Sequence, residues 1–349
     1  MQSSVAEPKT IIASAPCRAD LAGGTLDLWP LYLFHPGAVT VNFALSIFTT
    51  CKITPAPGKT IRLRSIDTRK EETFASLDEL LKAKLPKHSL AVQLIKFFQP
   101  EGGFTLETDS ESPAGAGISG SSAMMIATTA ALAKFTGKKL GLEEMRVIAQ
   151  NVEAQLINVP TGCQDYYPAL YGGVSTIHLD AGGIRHEAIN VSADEIDDRF
   201  LVIYTGAPRQ SGINNWEVYK AHINGDKKVV KNFETISEIA QGMHTAMKKA
   251  DWDQVAYLIR EEWKLRRSNH DHISTPLIDR LIAVSAKTGG RAAKVCGAGG
   301  GGCVLFMVKD GAKERVIEAI RLNGGQVLPC KMASDGLTVK AVATKAAKA

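Results

Sequence analysis

The sequence predicts an α+β protein built from two closely packed domains. At 349 residues the chain is longer than one hydrophobic core usually supports. Runs rich in Val, Ile, Thr and Phe alternate with segments whose apolar residues recur every three or four positions, so both strands and helices are expected. Apolar residues make up 45% and charged residues 22% of the chain, which is typical of a folded globular protein.

The first half of the chain alternates between these two patterns. Predicted strands cover residues 10–16, 38–55, 59–66, 104–108, 173–178 and 184–190, and predicted helices cover 76–84, 89–98, 119–136 and 142–157. Pro16 ends the first strand and Pro160 follows the last helix. We expect this half to form a mixed sheet with helices on one face.

The second half opens with a strand at 200–206, and three helical stretches follow over 209–269. In the middle stretch a buried stripe is predicted from apolar residues at three- and four-residue steps: Val229, Phe233, Ile236, Ala240, Met243 and Met247. A final βαβ-like stretch runs from 291 to 342, with the sequence GAGGGG between its first two strands. We therefore expect domains at 1–195 and 196–349.

Charge and cysteine content exclude several classes of protein. The net charge of +5 is spread along the chain, so a nucleic-acid partner is not expected. The six cysteines are scattered without a C-x-x-C pair, which favours a reducing compartment and gives no zinc-ligand spacing. No apolar run reaches 18 residues and the N-terminus has no apolar core, so we expect no membrane partner and a cytoplasmic location. Monomer and homodimer both remain open.

The strongest local signal is the glycine-rich segment from Ser112 to Ala123, which leads into a helix. Gly115, Gly117 and Gly120 remove side chains where a backbone must approach a ligand closely. Amide N–H groups at the start of a helix lack partners within the helix, and the helix dipole favours negative charge there. This pattern is typical of a phosphate-binding loop.

Three other interpretations of this segment exist. Two segments match G-x-G-x-x-G, at Gly115 to Gly120 and at Gly297 to Gly302, but a dinucleotide site also needs an acidic residue about 20 positions on, at the end of a strand. Residues 138–145 instead indicate the start of a helix. A Walker A loop needs a lysine after the last glycine, and none follows Gly120. A tight turn before a helix start remains open.

The segment from Pro113 to Ala123 resembles the phosphate motif of the GHMP kinases, which include galactokinase, homoserine kinase and mevalonate kinase. Relative to that motif, Gly and Ser are exchanged at positions 119 and 120. The exchange leaves the Mg²⁺-ligating serine open between Ser121 and Ser122, and we favour Ser121. The resemblance implies that ATP phosphates lie against Pro113, Gly115, Ala116, Gly117, Ile118, Ser119, Gly120, Ser121 and Ser122.

Four further segments resemble the family's motifs in the same order along the chain, over residues 15–303. The first, Ala15 to Asp27, matches a motif in which a basic residue and an aspartate act at the site. By this resemblance the catalytic residues are Asp165 and Arg18, and Glu153 holds Mg²⁺ with Ser121. The implied substrate-binding residues are Asp27, Gly24, Thr25 and Gly162, and a third-motif loop contains Gly297, Gly299, Gly300 and Gly301.

The segment from Tyr204 to Ser211 resembles the family branch that contains heptose-7-phosphate kinase and fucokinase-like enzymes, and it adds Arg209 to the expected substrate-binding residues. The resemblance implies an N-terminal domain like ribosomal protein S5 domain 2, a ferredoxin-like C-terminal domain with added helices, and an active site between them. The implied reaction is ATP-dependent phosphorylation of a small molecule, most simply a sugar or sugar phosphate. A mevalonate-type kinase and a catalytically silent sugar sensor are the alternatives.

Overall fold

The computed structural model describes residues 9–84, 86–208 and 211–344. Within them the strands are Lys9–Ala22 (β1), Val39–Ala56 (β2), Ile61–Ser65 (β3), Lys70–Phe74 (β4), Gly103–Ser110 (β5), Val174–Asp180 (β6), Gly183–Ile189 (β7), Phe200–Tyr204 (β8), Gly290–Val295 (β9), Cys303–Val308 (β10), Gln326–Val327 (β11) and Thr338–Ala343 (β12). The helices are Leu77–Leu81 (α1), Ser89–Phe98 (α2), Gly120–Phe135 (α3), Leu142–Ile157 (α4), Tyr166–Tyr171 (α5), Ala193–Arg199 (α6), Ser211–Ile223 (α7), Lys227–Lys248 (α8), Trp252–Ser268 (α9), Pro276–Thr288 (α10) and Lys313–Leu322 (α11).

The first sheet is built around the two long strands β1 and β2. Its order is β12-β1-β2-β5-β3-β4, and the first part of β2 also pairs with β6, which pairs with β7. The pairings are antiparallel except for β3 with β5. Because β12 comes from the end of the described chain and pairs with β1, the two halves share this sheet.

The second sheet has the order β11-β8-β10-β9, and all of its pairings are antiparallel. The helices α10 and α11 pack against it around a core that includes Phe306 and Ile320. With α10 and α11 as its two helices, this region has the predicted ferredoxin-like β-α-β-β-α-β order. The additional helices α8 and α9 pack against each other and against β1. The predicted two-domain α+β architecture is therefore confirmed.

The helix α3 lies in the centre of the first core, and this explains its unusual composition. Small residues dominate it, and its side chains from Ser122 to Ala133 are buried with the exception of Met124. It packs against β1, β2 and the helices α2 and α4. The middle of this helix is covered by other elements, whereas Ser121 in its first turn is exposed and available to a ligand.

The strand β1 differs from the sequence-based prediction in a way that matters for the site. The predicted strand ended at Pro16, but β1 continues to Ala22. Its register with β2 shifts between Pro16 and Cys17 and again between Asp20 and Ala22. Proline lacks the N–H that a regular ladder needs, and a bulge accommodates it without ending the strand. The continuation places Arg18 and Asp20 on a rigid strand.

Candidate active site

A cleft of about 490 Å³ opens where the start of α3, the end of β1 and the segment before α5 meet. Helix α7 contributes Asn215 and Trp216 to its wall, and α9 contributes Arg266. The cleft therefore draws on elements from both halves of the chain. Clefts between packed units are the usual location of small-molecule sites.

The glycine-rich segment before α3 lines the cleft, and several of its residues have the left-handed backbone conformation that favours glycine. Gly115 and Gly117 have φ of 68° and 80°, and Ser119, the residue before α3, also lies in the left-handed region at 64°. The first residues of α3 line the cleft. Their amide N–H groups have no acceptor within the helix. The hydroxyl of Ser119 is buried and has no hydrogen-bond partner among the described residues. The loop thus presents unpaired polar groups and the positive end of a helix dipole.

The exchange of Gly and Ser at 119 and 120 has a local structural cause. A Cβ atom at Gly120 would lie 2.9 Å from Oγ and 3.0 Å from Cβ of Ser112. A serine at 120 therefore requires Ser112 to move. With Ser112 in place, glycine stands at 120 and the left-handed conformation falls on Ser119.

Glu153 on α4 faces the start of α3. Its carboxylate accepts hydrogen bonds from Ser121 Oγ at 2.7 Å, Ser122 Oγ at 3.1 Å and Tyr166 Oη at 2.5 Å. Burial raises the pKa of Glu153, although these hydroxyl donors oppose the shift. Ser121 is exposed whereas Ser122 is buried. A carboxylate and hydroxyl oxygens are the ligands that Mg²⁺ prefers, so the group fits such an ion.

Arg18 and Asp165 form an ion pair beside the loop. Nε and Nη2 of Arg18 donate to Oδ1 of Asp165 at 2.8 and 2.6 Å, and Nη1 donates to the carbonyl of Gly117 at 2.9 Å. Asp165 precedes α5, but its carboxylate bonds to Arg18 rather than capping that helix. Burial alone would lower the pKa of Arg18; the carboxylates of Asp165 and Asp20 outweigh it and raise that pKa. Arg18 therefore stays charged at any working pH.

Asp27 occupies a buried position in the cleft, beside the segment that carries Asp165. It accepts hydrogen bonds from the amide of Gln164 at 2.9 Å and from Gln164 Nε2 at 3.4 Å. A Cβ atom at Gly162 would lie 2.0 Å from Oδ2 of Asp27, so this carboxylate requires glycine at 162. Burial, and then the charge of Asp165, raise the pKa of Asp27 to about 6. Asp27 is therefore still ionised at neutral pH.

Behind Arg18 lies a buried set of charges that we call the ion cluster, formed by Asp20, Lys294, Glu262 and Arg266. Lys294 Nζ donates to Asp20 Oδ2 at 2.8 Å and to Glu262 Oε2 at 2.9 Å. Arg18 and Arg266 approach the same Asp20 carboxylate at 3.7 and 3.8 Å. Burial alone would raise the pKa of Asp20, but Lys294 and then the two guanidinium groups hold it well below its usual range. The cluster ties β1 to β9 and α9.

The glycine-rich segment at residues 297–302 packs against the glycine-rich segment that precedes α3. The amide of Cys303 donates to the carbonyl of Ala116 at 2.6 Å, and a Cβ atom at Gly302 would lie 2.6 Å from the same oxygen. The amide of Gly297 donates to Oδ1 of Asp20 at 3.2 Å. The two glycine-rich loops are therefore in backbone contact, and the ion cluster positions one of them.

Most of the residues that the sequence indicated meet at this cleft. The lining includes Arg18, Thr25, Asp27, Pro113, Gly115, Ala116, Gly117, Ser119, Gly120, Ser121, Ser122, Glu153, Gly162, Asp165 and Gly297. Other predicted residues do not line the cleft: Gly24, Ile118, Gly299, Gly300 and Gly301. Arg209 lies outside the described residues.

Several of the indicated residues outside the lining still bear on the site. Ile118 is buried, and its carbonyl accepts the amide of Arg18 at 2.9 Å. A Cβ atom at Gly24 would lie 2.6 Å from Nη1 of Arg266, so glycine there makes room for the ion cluster. The amide of Gly300 donates to the carbonyl of Ile273 at 2.9 Å, which joins the glycine-rich segment at residues 297–302 to the segment between α9 and α10.

Sequence reasoning did not identify the residues that support the predicted ones. Asp20, Glu262, Arg266 and Lys294 form the ion cluster, and Tyr166 holds Glu153. Asp20 lies within the first motif, two residues after Arg18, and this position was the one indication in the sequence that it could belong to the site. Lys294 precedes the third glycine-rich segment, but no local pattern connects it with Glu262.

Comparison with known proteins identifies this arrangement. Residues 85–173 match the GHMP kinases N terminal domain, and residues 243–326 match the GHMP kinases C terminal domain. The chain belongs to the GHMP kinases. This GHMP kinase is therefore an ATP-dependent small-molecule kinase. No helix within the described residues has the length and apolar character needed to cross a bilayer.

Individual relatives of this GHMP kinase span nearly its whole length. It is 26% identical to the D-glycero-alpha-D-manno-heptose 7-phosphate kinase of Campylobacter jejuni, over 94% of this chain and 98% of that protein. It is 25% identical to the mevalonate kinase of Thermococcus onnurineus, over 82% of this chain and 83% of that protein. Its fold is similar to that of Lactococcus lactis galactokinase, with a TM-score of 0.78 at 17% identity, covering 94% of this chain and 95% of the galactokinase chain.

Replacing Gly120 tests the coupling between this residue and Ser112. Gly120→Ser forces the start of α3 away from Ser112, and we expect kcat/KM for ATP to fall roughly 10- to 100-fold because small displacements of positioning groups are costly. The double variant Ser112→Gly/Gly120→Ser should recover most of the loss, with Ser112→Gly alone as the control. Purely additive effects in this double-mutant cycle would contradict the coupling.

Removing the buried ammonium tests the ion cluster. Lys294→Met leaves Asp20 and Glu262 buried without their shared partner, and we expect the free energy of unfolding to fall by about 3–5 kcal/mol. Denaturant unfolding measures the change. Lys287→Met, at an exposed position on α10, is the matched control and should change stability by less than about 0.5 kcal/mol. A similar small effect for both variants would show that the cluster contributes little.

Proposed function

We propose that this GHMP kinase transfers the γ-phosphoryl group of ATP to a hydroxyl of a sugar or sugar phosphate. The observation that carries the proposal is the position of the Arg18 guanidinium. It donates both to the Asp165 carboxylate in the cleft and to the carbonyl of Gly117 in the glycine-rich segment before α3. The full-length similarity to a heptose 7-phosphate kinase supports a sugar phosphate as the acceptor class.

The triphosphate of ATP binds along residues 115–122. Backbone amides at the start of α3 donate to the β- and γ-phosphate oxygens, and the helix dipole adds a favourable field. The buried Ser119 hydroxyl, which lacks a partner among the described residues, gains an acceptor when a phosphate oxygen arrives. Close approach of phosphate to backbone is what the glycines at 115, 117 and 120 permit.

Ser121 and Glu153 hold Mg²⁺ in this proposal. When bound, the ion would supply positive charge that neutralises the charge developing on the phosphoryl group during transfer. Ser121 is favoured over Ser122 because it is exposed to the cleft. Tyr166 keeps Glu153 oriented through its hydrogen bond to Oε2.

Asp165 acts on the acceptor hydroxyl. Its carboxylate accepts the hydroxyl proton, or orients that hydroxyl for in-line attack on the γ-phosphorus. Arg18 orients the Asp165 carboxylate through their hydrogen bonds and stabilises negative charge on the transferred group. Because Arg18 is fixed by Gly117 and by Asp20, it needs no rearrangement before transfer, which is the condition for effective electrostatic stabilisation.

The acceptor lies against Thr25, Asp27 and Gly162, with Gly24 shaping the turn. Arg209, which lies outside the described residues, is a further proposed contact of the acceptor. Sugar hydroxyls require many polar groups, and Gln164, Asn215 and Arg266 add such groups to the same wall. Mevalonate needs an apolar wall with a cationic clamp, so this lining favours a sugar. The presence of Arg18, Asp165 and Glu153 together disfavours a silent sensor.

Two further features belong to this proposal. The domain boundary lies at residues 195 and 196, with β12 returning to the N-terminal sheet.

The protein works in the cytoplasm, a reducing compartment where ATP is available. This is consistent with six cysteines that form no disulfide within the described residues.

An acceptor panel tests the proposed substrate class. With Mg·ATP held constant, ADP release is measured for heptose and hexose phosphates, the corresponding free sugars, and mevalonate. We expect a sugar or sugar phosphate to exceed mevalonate by at least about 100-fold in kcat/KM, because a site built to hydrogen-bond several hydroxyls is left with unpaired polar groups by a compound that offers fewer of them. A preference for mevalonate, or no acceptor-dependent ADP release, would contradict the proposal.

Asp165→Asn tests the proposed base with little change in shape. We expect kcat to fall by about 10²- to 10⁴-fold while nucleotide binding changes only a few-fold, because the phosphate-binding amides are unaffected. Stopped-flow transfer rates and calorimetric titration with ADP give the two quantities. Asp109→Asn, at an exposed position on β5, is the control. A variant with near-normal kcat would exclude Asp165 as the base.

A further inference from the structure

Two histidines and a glutamate meet outside the cleft, where the end of α8 crosses the β6–β7 hairpin. His178 Nε2 lies 2.8 Å from Glu187 Oε2, and His244 Nε2 lies 3.8 Å from the same oxygen. One donor atom from each residue can be chosen so that all three lie within 4.8 Å of one another. All three side chains are half-buried. None of them lines the cleft, so the phosphoryl transfer reaction does not use them.

Strand register and helix placement create this group. The antiparallel pairing sets Thr176 opposite Glu187 and His178 opposite Arg185, so all four side chains share one face of the hairpin. Helix α8 covers this face and contributes His244 one turn before Lys248. The opposite face of the hairpin packs on α5. The β6–β7 hairpin and a helix from the second half of the chain therefore converge on one point.

A second layer of contacts orients the three donor groups. Thr176 Oγ1 lies 2.9 Å from His244 Nδ1, and an Nδ1–H that donates to this hydroxyl leaves the Nε2 lone pair directed at the group. Lys248 Nζ binds Oε1 of Glu187 at 2.9 Å, so the other carboxylate oxygen, Oε2, turns toward both imidazoles. Outer contacts of this kind are typical of protein metal sites, where they set the ring orientation and the tautomer.

The donor set selects among metals. Two imidazole nitrogens and one carboxylate oxygen suit Zn²⁺, which binds such ligands at about 2.0–2.2 Å. Mg²⁺ prefers oxygen ligands in octahedral geometry and competes poorly for imidazole. Donor atoms already this close together need only small side-chain movements to reach a common ion.

We propose that His178, Glu187 and His244 bind one zinc ion, with water completing its coordination. The ion joins α8, from the second half of the chain, to the β6–β7 hairpin of the first sheet. Such an ion cross-links two elements that are also joined by the Lys248–Glu187 ion pair. The site is separate from the Mg²⁺ that accompanies ATP.

Zinc titration of the full chain against a chromophoric chelator tests the proposal. We expect one equivalent to bind the wild type, with no loss of zinc when millimolar Mg²⁺ is added. His244→Ala and Glu187→Gln should each weaken binding by at least about tenfold, the smallest loss usual even for outer-shell changes at metal sites. His186→Gln is the matched control, because His186 lies beside Glu187 in β7 but faces the other way and bonds Ser175 Oγ at 2.8 Å.

Two measurements keep the test decisive if a variant folds poorly. Zinc should raise the thermal midpoint of the wild type and of His186→Gln by a few degrees, because an ion that binds only the folded state stabilises it. Co²⁺ should give the wild type a visible absorption spectrum that excess Zn²⁺ abolishes. Absence of zinc binding by the wild type, or equal binding by well-folded His244→Ala, would overturn the proposal and leave the cluster as an ion pair alone.

Discussion

The structure depends on the position of one guanidinium group. Arg18 is almost fully buried on β1, and it lies between Asp165 in the cleft and Asp20 in the ion cluster. A buried charge of this kind is tolerated only when paired, so both carboxylates must be in place. Because Asp20 is held in turn by Lys294 and Arg266, the second half of the chain must dock on the first before the cleft is complete.

This arrangement fits the demands of phosphoryl transfer, which asks the protein for positioning and charge neutralisation more than for covalent chemistry. Two glycine-rich loops meet backbone to backbone at Ala116 and Gly302, so the phosphate-binding segment is braced from behind. Rigid elements carry the charged groups: Arg18 on a strand, Glu153 on a helix and Asp165 at a helix start.

Sequence reasoning found many of the residues that face the cleft, by two routes. The glycines and serines before α3 have a physical signature of their own, whereas Asp165, Arg18 and Glu153 came from the resemblance to the GHMP kinases. It could not find Lys294 with Glu262, or His178 with Glu187 and His244, since only the tertiary fold brings these residues together. It also ended β1 at Pro16, because the bulge that lets a strand continue past proline depends on pairing with β2. Ion pairs between residues that are distant along the chain produce no local or periodic pattern in the sequence.

The most direct test is a crystal structure of the full chain with a non-hydrolysable ATP analogue, Mg²⁺ and the preferred sugar acceptor. We expect the triphosphate to lie along residues 115–122, with the γ-phosphate beside Arg18 and the acceptor hydroxyl within hydrogen-bonding reach of Asp165, about 3 Å. A nucleotide bound away from the start of α3, or an acceptor hydroxyl beyond the reach of Asp165, would contradict it.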